Sequence, residues 1–220
     1  MFSSESYQGL VTTIDNTKIT GITYYAGDKG DELSDYTHNV KLGQRTNVKS
    51  TSIFFYNDAT TRASGANPVS DRMFSSESYQ GEVTDIVETA LTGITYYVGD
   101  KGDELSDYTH NVKLGQRDTV KSTSIFFYND ATTRAIDANP VSDRMFSSES
   151  YQGLVTTIDN TKITGITYYA GDKGDELSDY THNVKLGQRT NVKSTSIFFY
   201  NDAVTRAVNA NPVSDRMFSS

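Results

Sequence analysis

The chain repeats itself every 72 residues, and this period constrains its fold more than any other feature. The sequence Met-Phe-Ser-Ser recurs at Met1, Met73, Met145 and Met217. Three repeats therefore span residues 1–72, 73–144 and 145–216, and residues 217–220 begin a fourth. Units that recur without insertions bury their apolar faces against their neighbours. Such a chain has two options, closure around an axis or continuation as a rod or filament.

The repeats are nearly identical in sequence. Repeats one and three differ only at Thr60/Val204, Ser64/Val208 and Gly65/Asn209, whereas repeat two differs from repeat one mainly in GEVTDIVETALTG, residues 81–93. A fainter half-period is also present, because Thr17–Asp28 resembles Thr46–Asp58. This degree of identity indicates recent duplication or design.

The residue types favour an all-β fold. The chain has 15 Tyr, 10 Phe and only 3 Pro, together with many Thr, Ser and Val, which are residues typical of strands. Turn residues separate the apolar runs at Asp28–Asp31, Asn57-Asp58 and Ala66–Pro68. The predicted strands of repeat one are Leu10–Ile14, Ile19–Tyr25, Glu32–Tyr36, Asn39–Leu42, Ser50–Tyr56, Thr61–Ala63 and Arg72–Ser75.

Charge and composition argue against several classes of function. The net charge of -8 disfavours nucleic acid as a partner, since 20 Lys and Arg are dispersed among 28 acidic residues. The sequence contains no run of about 18 apolar residues, so we expect no membrane insertion. Cysteine is absent, which excludes disulfides and thiolate metal sites. We find no nucleophile elbow or phosphate loop and expect no enzymatic activity.

An acidic turn, GDKGDELSD, recurs in each repeat. Calcium takes six to eight oxygen ligands, and such a turn offers several carboxylates and carbonyls. The order of acids differs from that of an EF-hand loop, so a solvated hairpin turn and a calcium site both remain open. The candidate calcium ligands are Asp28, Asp31, Glu32, Asp100, Asp103, Glu104, Asp172, Asp175 and Glu176.

Histidine occupies a single position per repeat, at His38, His110 and His182, with no second histidine nearby in sequence. We expect it to be an exposed strand residue.

Adjacent aromatics in TYY and IFFY place one ring on each face of a strand. The inward ring belongs to the core, and the outward ring either packs across strands or stacks on a sugar. The candidate ligand-binding residues are Tyr25, Asn57, Asp58, Tyr97, Asn129, Asp130, Tyr169, Asn201 and Asp202.

Two family resemblances follow from these motifs. SESYQG, with residues 88–100 and 114–130, resembles the Greek-key units of the vitelline membrane outer layer protein family, whose β-prism is shared by jacalin-like lectins. The spacing of Phe2, Tyr7 and Gly9 is similar to that of βγ-crystallins, and Asn47–Ser52 is similar to their calcium-binding sequence. These resemblances imply tandem Greek-key repeats of β-prism or βγ-crystallin type. A small six-bladed propeller is the alternative.

The sequence therefore predicts a non-enzymatic structural or adhesive protein that self-assembles into an extracellular or cell-surface fibre or matrix through its terminal strands. The alternative is a multivalent carbohydrate-binding lectin with three equivalent sites, which would gain avidity from repetition.

Overall fold

The computed structural model describes residues 2–212, 215 and 217–219, and these residues form an all-β protein without α-helix. Short 3-10 helices occur at Ala63–Gly65, Glu88–Ala90 and Ala207–Asn209. The strands are β1 (Ser3–Tyr7), β2 (Ile19–Ala26), β3 (Leu33–Lys41), β4 (Gln44–Tyr56), β5 (Met73–Gln80), β6 (Leu91–Val98), β7 (Leu105–Lys113), β8 (Gln116–Tyr128), β9 (Met145–Gln152), β10 (Ile163–Ala170), β11 (Leu177–Lys185), β12 (Gln188–Ile197), β13 (Phe199–Tyr200) and β14 (Met217–Ser219).

The chain divides into two compact units. The first contains residues 1–104 and 112–119, and the second contains residues 105–111 and 120–220. Within each unit the strands pair antiparallel and in chain order, from β1 to β6 in the first unit and from residues 120–128 of β8 to β12 in the second. This pairing is that of a meander. The Greek-key, β-prism, βγ-crystallin and propeller arrangements expected from the sequence are not confirmed.

Most of the strands predicted for repeat one are present, but those at Leu10–Ile14 and Thr61–Ala63 are not. Ile19–Tyr25 and Ser50–Tyr56 lie in β2 and β4, and the two short strands predicted between them form the single strand β3. Leu10–Ile14 is a loop, whose Leu10 and Ile14 side chains are 88% and 77% exposed. The segment Asn47–Ser52, which resembles a calcium-binding sequence, lies inside β4.

A tight turn at Leu42-Gly43 joins β3 to β4. Gly43 has a φ of +71°, and a Cβ added there would lie 2.8 Å from the carbonyl oxygen of Thr17. Its amide donates to the Ile19 carbonyl at 3.0 Å. Glycine is required at this position because only glycine combines that φ with so close an approach.

Each repeat is strongly curled. Arg45 at the start of β4 forms an ion pair with Glu5 of β1, although two strands separate them in the sheet. In a flat sheet three strand spacings would place them about 14 Å apart. The curled sheet encloses an apolar face that holds Ile19, Ile22 and Val40 in the first unit. In the second unit the corresponding cluster contains Ile125, Phe127, Tyr151, Val155, Ile163, Ile166 and Val184.

Candidate functional site: the repeat junctions

Strand pairing joins one repeat to the next. The last strand of repeat one, β4, pairs with the first strand of repeat two, β5, from Ser50↔Gln80 to Tyr56↔Met73. The last strand of repeat two, β8, pairs with β9 from Ser122↔Gln152 to Tyr128↔Met145, which is the same register displaced by 72 residues. Both junctions therefore use one backbone arrangement.

Each junction buries alternate side chains on one face of the sheet. At the first, Thr51, Ile53 and Phe55 of β4 are fully buried. Their cross-strand partners on β5 are Tyr79, Glu77 and Ser75, which are also buried. We call these six positions the junction face. Its equivalents at the second junction, Thr123, Ile125, Phe127, Tyr151, Glu149 and Ser147, are buried as well.

Side-chain hydrogen bonds extend the first junction past the end of β5. The Thr51 hydroxyl donates to the Gly81 carbonyl at 2.9 Å and accepts from the Val83 amide at 3.1 Å. His38 Nε2 donates to the Val83 carbonyl at 3.0 Å. The junction is thus fixed in register by side chains as well as by backbone.

The expectation of an exposed strand histidine is wrong at both internal junctions. His38 and His110 are only 4% and 7% exposed, because the chain of the following repeat covers them. Burial lowers the pKa of His110 below its ordinary value. His182, in repeat three, is partly exposed.

The same positions are uncovered in repeat three. Thr195 and Ile197 of β12 are exposed, Ile197 by 37%, although the equivalents of Thr195 (Thr51 and Thr123) and of Ile197 (Ile53 and Ile125) are fully buried. On the first strand of repeat one, Tyr7 is partly exposed, whereas its equivalents Tyr79 and Tyr151 are fully buried. The 220-residue chain therefore presents one half of a junction face on β12 and the complementary half on β1.

The start of the fourth repeat occupies part of this surface. Strand β14 pairs with β13 through Phe199↔Ser219 and Tyr200↔Met217. These pairs match Phe127↔Ser147 and Tyr128↔Met145 at the second junction. The backbone of residues 217–219 thus follows the junction register, as β5 and β9 do.

At each internal junction, the buried glutamate and tyrosine of the first strand of a repeat contact an arginine from the last strand of the same repeat. The carboxylate of Glu77 accepts from the hydroxyl of Tyr79 and from Arg117, whose Nη2 lies 2.9 Å from Oε2. Glu149, Tyr151 and Arg189 repeat the arrangement. Burial and the bond to Glu77 raise the pKa of Tyr79, so its hydroxyl remains a donor. The cluster ties the first strand of a repeat to its last.

The acidic turns lie at the other end of the strands from the hydrogen bond between Thr51 and Gly81. Their glutamates bind backbone: Glu104 accepts from Met73 N and Gly102 N, and Glu176 accepts from Met145 N and Gly174 N, all at 2.8–2.9 Å. Glu32 accepts from Gly30 N at 3.0 Å. Among the residues that the structure describes, no three His, Asp or Glu side chains are grouped to hold a metal ion. Calcium binding here stays a prediction.

The candidate ligand-binding residues also form internal bonds. The Tyr25 hydroxyl shares a 2.8 Å hydrogen bond with Ser4, and Tyr97 and Tyr169 bond to Ser76 and Ser148 at 3.0 Å. Asn57 has a φ of 65°, and its equivalents Asn129 and Asn201 each have a φ of 64°. These residues shape the turn and the neighbouring strand pair, and glycan binding stays a prediction.

Asp58 organises the turn after β4. Its Oδ1 accepts from the amides of Thr60 and Thr61, both at 2.7 Å, and these bonds with those from the threonine hydroxyls lower its pKa to about 2. Asp130 does the same in repeat two, with its pKa also lowered to about 2. In repeat three Val204 replaces Thr60, and the pKa of Asp202 is lowered chiefly by the backbone bonds.

A shallow cleft lies between the acidic turn and the 3-10 helix in repeats one and three. In repeat one Gly27, Asp28 and Asp31 face Ala63, Ser64, Ala66 and Pro68. In repeat three Val208 stands where Ser64 does. Two of the three differences between these repeats, Ser64/Val208 and Gly65/Asn209, fall at or beside this wall of the cleft.

Comparison of the chain with known protein families, characterised proteins and solved structures finds no match. The two family resemblances therefore stay predictions. In the described part of the chain, no helix is long and apolar enough to cross a membrane.

Proposed function

We propose that this chain is a non-enzymatic structural protein that assembles head to tail, with β1 of one copy pairing with β12 of the next. The repeated junction carries the proposal. Two junctions of the same register join the repeats within the chain, and the halves of a third are uncovered on β12 and β1.

The residues of this third junction correspond position by position to those of the first two. In the shared register Thr195 of one copy lies opposite Tyr7 of the next, and Ile197 lies opposite Glu5. Their equivalents are the pairs Thr51↔Tyr79 and Ile53↔Glu77. The sequences on both sides are the same as those at the internal junctions. A second copy thus offers β12 the surface that each repeat offers its predecessor.

The two surfaces are different, so the contact is heterologous. A heterologous contact that does not close on itself generates a filament. An uncovered strand edge with apolar residues is also a ready template for strand addition. These features support a fibre or matrix protein over a discrete binding module.

Sedimentation velocity over a range of protein concentrations tests the proposal. We expect a ladder of species that grow by one chain at a time. Ile197→Lys should shift the population to monomer, because it places a charge where Ile53 and Ile125 are fully buried. Val204→Lys is the matched control, since Val204 is 79% exposed and lies outside the junction face. A chain that stays monomeric at every concentration contradicts the proposal.

A further inference from the structure

A loop of the following repeat covers the histidine at each internal junction. At the second junction residues 153–162 join β9 to β10, and Val155 in this loop is 5% exposed. The Val155 amide donates to the Thr123 hydroxyl at 3.2 Å, and that hydroxyl donates to the Gly153 carbonyl at 2.8 Å. His110 lies beneath the same loop, hydrogen-bonded to the backbone of Val155. Closing the loop therefore removes the imidazole of His110 from water.

The charged groups around His110 do not favour a second positive charge there. Three carboxylates on the neighbouring elements are each paired with a cation: Asp107 on β7 with Arg134, Glu149 on β9 with Arg189, and Asp159 in the loop with Lys162. Lys113 and Lys121, on β7 and β8, are exposed and carry the same charge as an imidazolium. The strands β6 and β10 contain no ionisable residue except tyrosine, and the Tyr108 ring lies 5.0 Å from the imidazole. An imidazolium under the closed loop would compete with a cation for each of the three carboxylates.

Leu154 distinguishes the second junction from the first. Glu82 occupies its position at the first junction. There burial, with a contribution from the charge of Glu82, raises the pKa of Tyr36, whose ring lies 5.1 Å from that of His38. Leucine supplies no such charge, so a protonated His110 is less well compensated than a protonated His38.

We propose that His110 is an acid-sensitive latch, whose protonation releases residues 153–162 from the second junction and leaves the β8–β9 strand pairing in place. Burial lowers the pKa of His110, against the smaller, opposite effect of its bond to Val155. When the loop opens, water reaches the imidazole and the pKa returns towards its ordinary value of 6.5. Opening therefore takes up a proton below pH 6.5, and acid favours it. The latch acts within one chain, whether or not copies associate.

Amide hydrogen exchange measured by NMR tests the latch, with the Val155 amide as the reporter. One proton taken up on opening raises the equilibrium constant of opening by up to about tenfold per pH unit. We expect the protection factor of Val155 to fall below pH 6.5 with at most that slope. The Gly187 amide, which donates to the Ile163 carbonyl at 3.1 Å in the β11–β12 turn, should keep a constant protection factor.

Three variants assign the effect to His110. His110→Gln keeps a neutral amide donor and should hold the Val155 protection factor constant over this range. His182→Gln is the matched control, because the same position in repeat three is partly exposed, and it should leave the fall unchanged. Leu154→Glu, which copies Glu82, should move the fall to lower pH, because a nearby carboxylate favours the protonated imidazole in the closed state.

A Val155 protection factor that stays constant with pH in the unchanged chain overturns the latch. A fall that is as steep in His110→Gln overturns it as well. Far-UV circular dichroism checks that each variant folds. If His110→Gln does not fold, Leu154→Glu decides instead, and an unshifted pH profile in that variant overturns the latch.

Discussion

At the scale of single residues, burial decides how much each ion pair contributes. The Glu77 side chain is 3% exposed and that of Glu5 is 20% exposed, although both pair with an arginine from the fourth strand of their repeat. Removing one partner from a buried pair leaves an uncompensated charge, which costs about 3–5 kcal/mol.

We therefore expect Arg117→Leu to lower the free energy of unfolding by about 3 kcal/mol. Arg45→Leu, the same change in repeat one, should lower it by about 1 kcal/mol, because solvent reaches Glu5. Urea denaturation followed by circular dichroism measures both. Equal losses in the two variants would show that burial of the carboxylate is not the cause.

Acid should weaken the turns organised by Asp58 and Asp130. Their folded pKa of about 2 lies below the ordinary value of 3.8. Stability from a depressed pKa is present above the ordinary value and is lost as the pH falls towards the folded value. Asp58→Asn should therefore reduce the loss of stability between pH 3.8 and 2. Thr60→Val, which copies repeat three, should give a smaller reduction. Thermal melts across this range provide the measurement, and unchanged pH profiles would refute the assignment.

At the scale of elements, two glycines with positive φ distinguish the cost of backbone strain from the cost of steric crowding by an added side chain. Gly43 has a φ of +71° and backbone close to its missing Cβ, whereas Gly30 has a φ of +96° and open space around it. Gly30→Ala should cost about 1 kcal/mol from the left-handed backbone alone. Gly43→Ala should cost about 1–3 kcal/mol more, because the β3–β4 turn must move away from Thr17. Chemical denaturation of both variants tests this, and equal costs would contradict it.

The elements were predictable to the extent that local chemistry defines them. Alternating apolar residues and Asn or Gly turns identify β2, β4 and most of β3. The loop at Leu10–Ile14 was not predictable from its apolar residues, because no strand lies in position to pair with it. The burial of His38 depends on Val83, 45 residues away, and the sequence around His38 carries no sign of that contact.

At the scale of the whole molecule, the period of 72 residues predicts the repeats but not how they join. The curl that brings Glu5 to Arg45, and the register of β4 on β5, are long-range features. The charged Glu-x-Tyr within an otherwise strand-like segment, SESY, was the one local sign of a buried cluster. The candidate metal and glycan residues were identified by their chemistry, and the structure places them in turns and strand pairs.

The central claim is that β12 of one copy pairs with β1 of another in the junction register. Ser52↔Ser78 and Ser124↔Ser150 face each other at the two internal junctions, so Ser196 should face Ser6 of a second copy. Directly opposed residues lie within the Cα separation that a disulfide spans, and the chain has no cysteine of its own.

Mixing Ser196→Cys with Ser6→Cys under mild oxidation tests this claim most directly. We expect a disulfide-linked dimer of the two variants to form rapidly. Ser196→Cys mixed with Ser4→Cys, which is two residues out of register on the same face, should cross-link far more slowly. Equal cross-linking of the two mixtures, or none in either, would contradict the account.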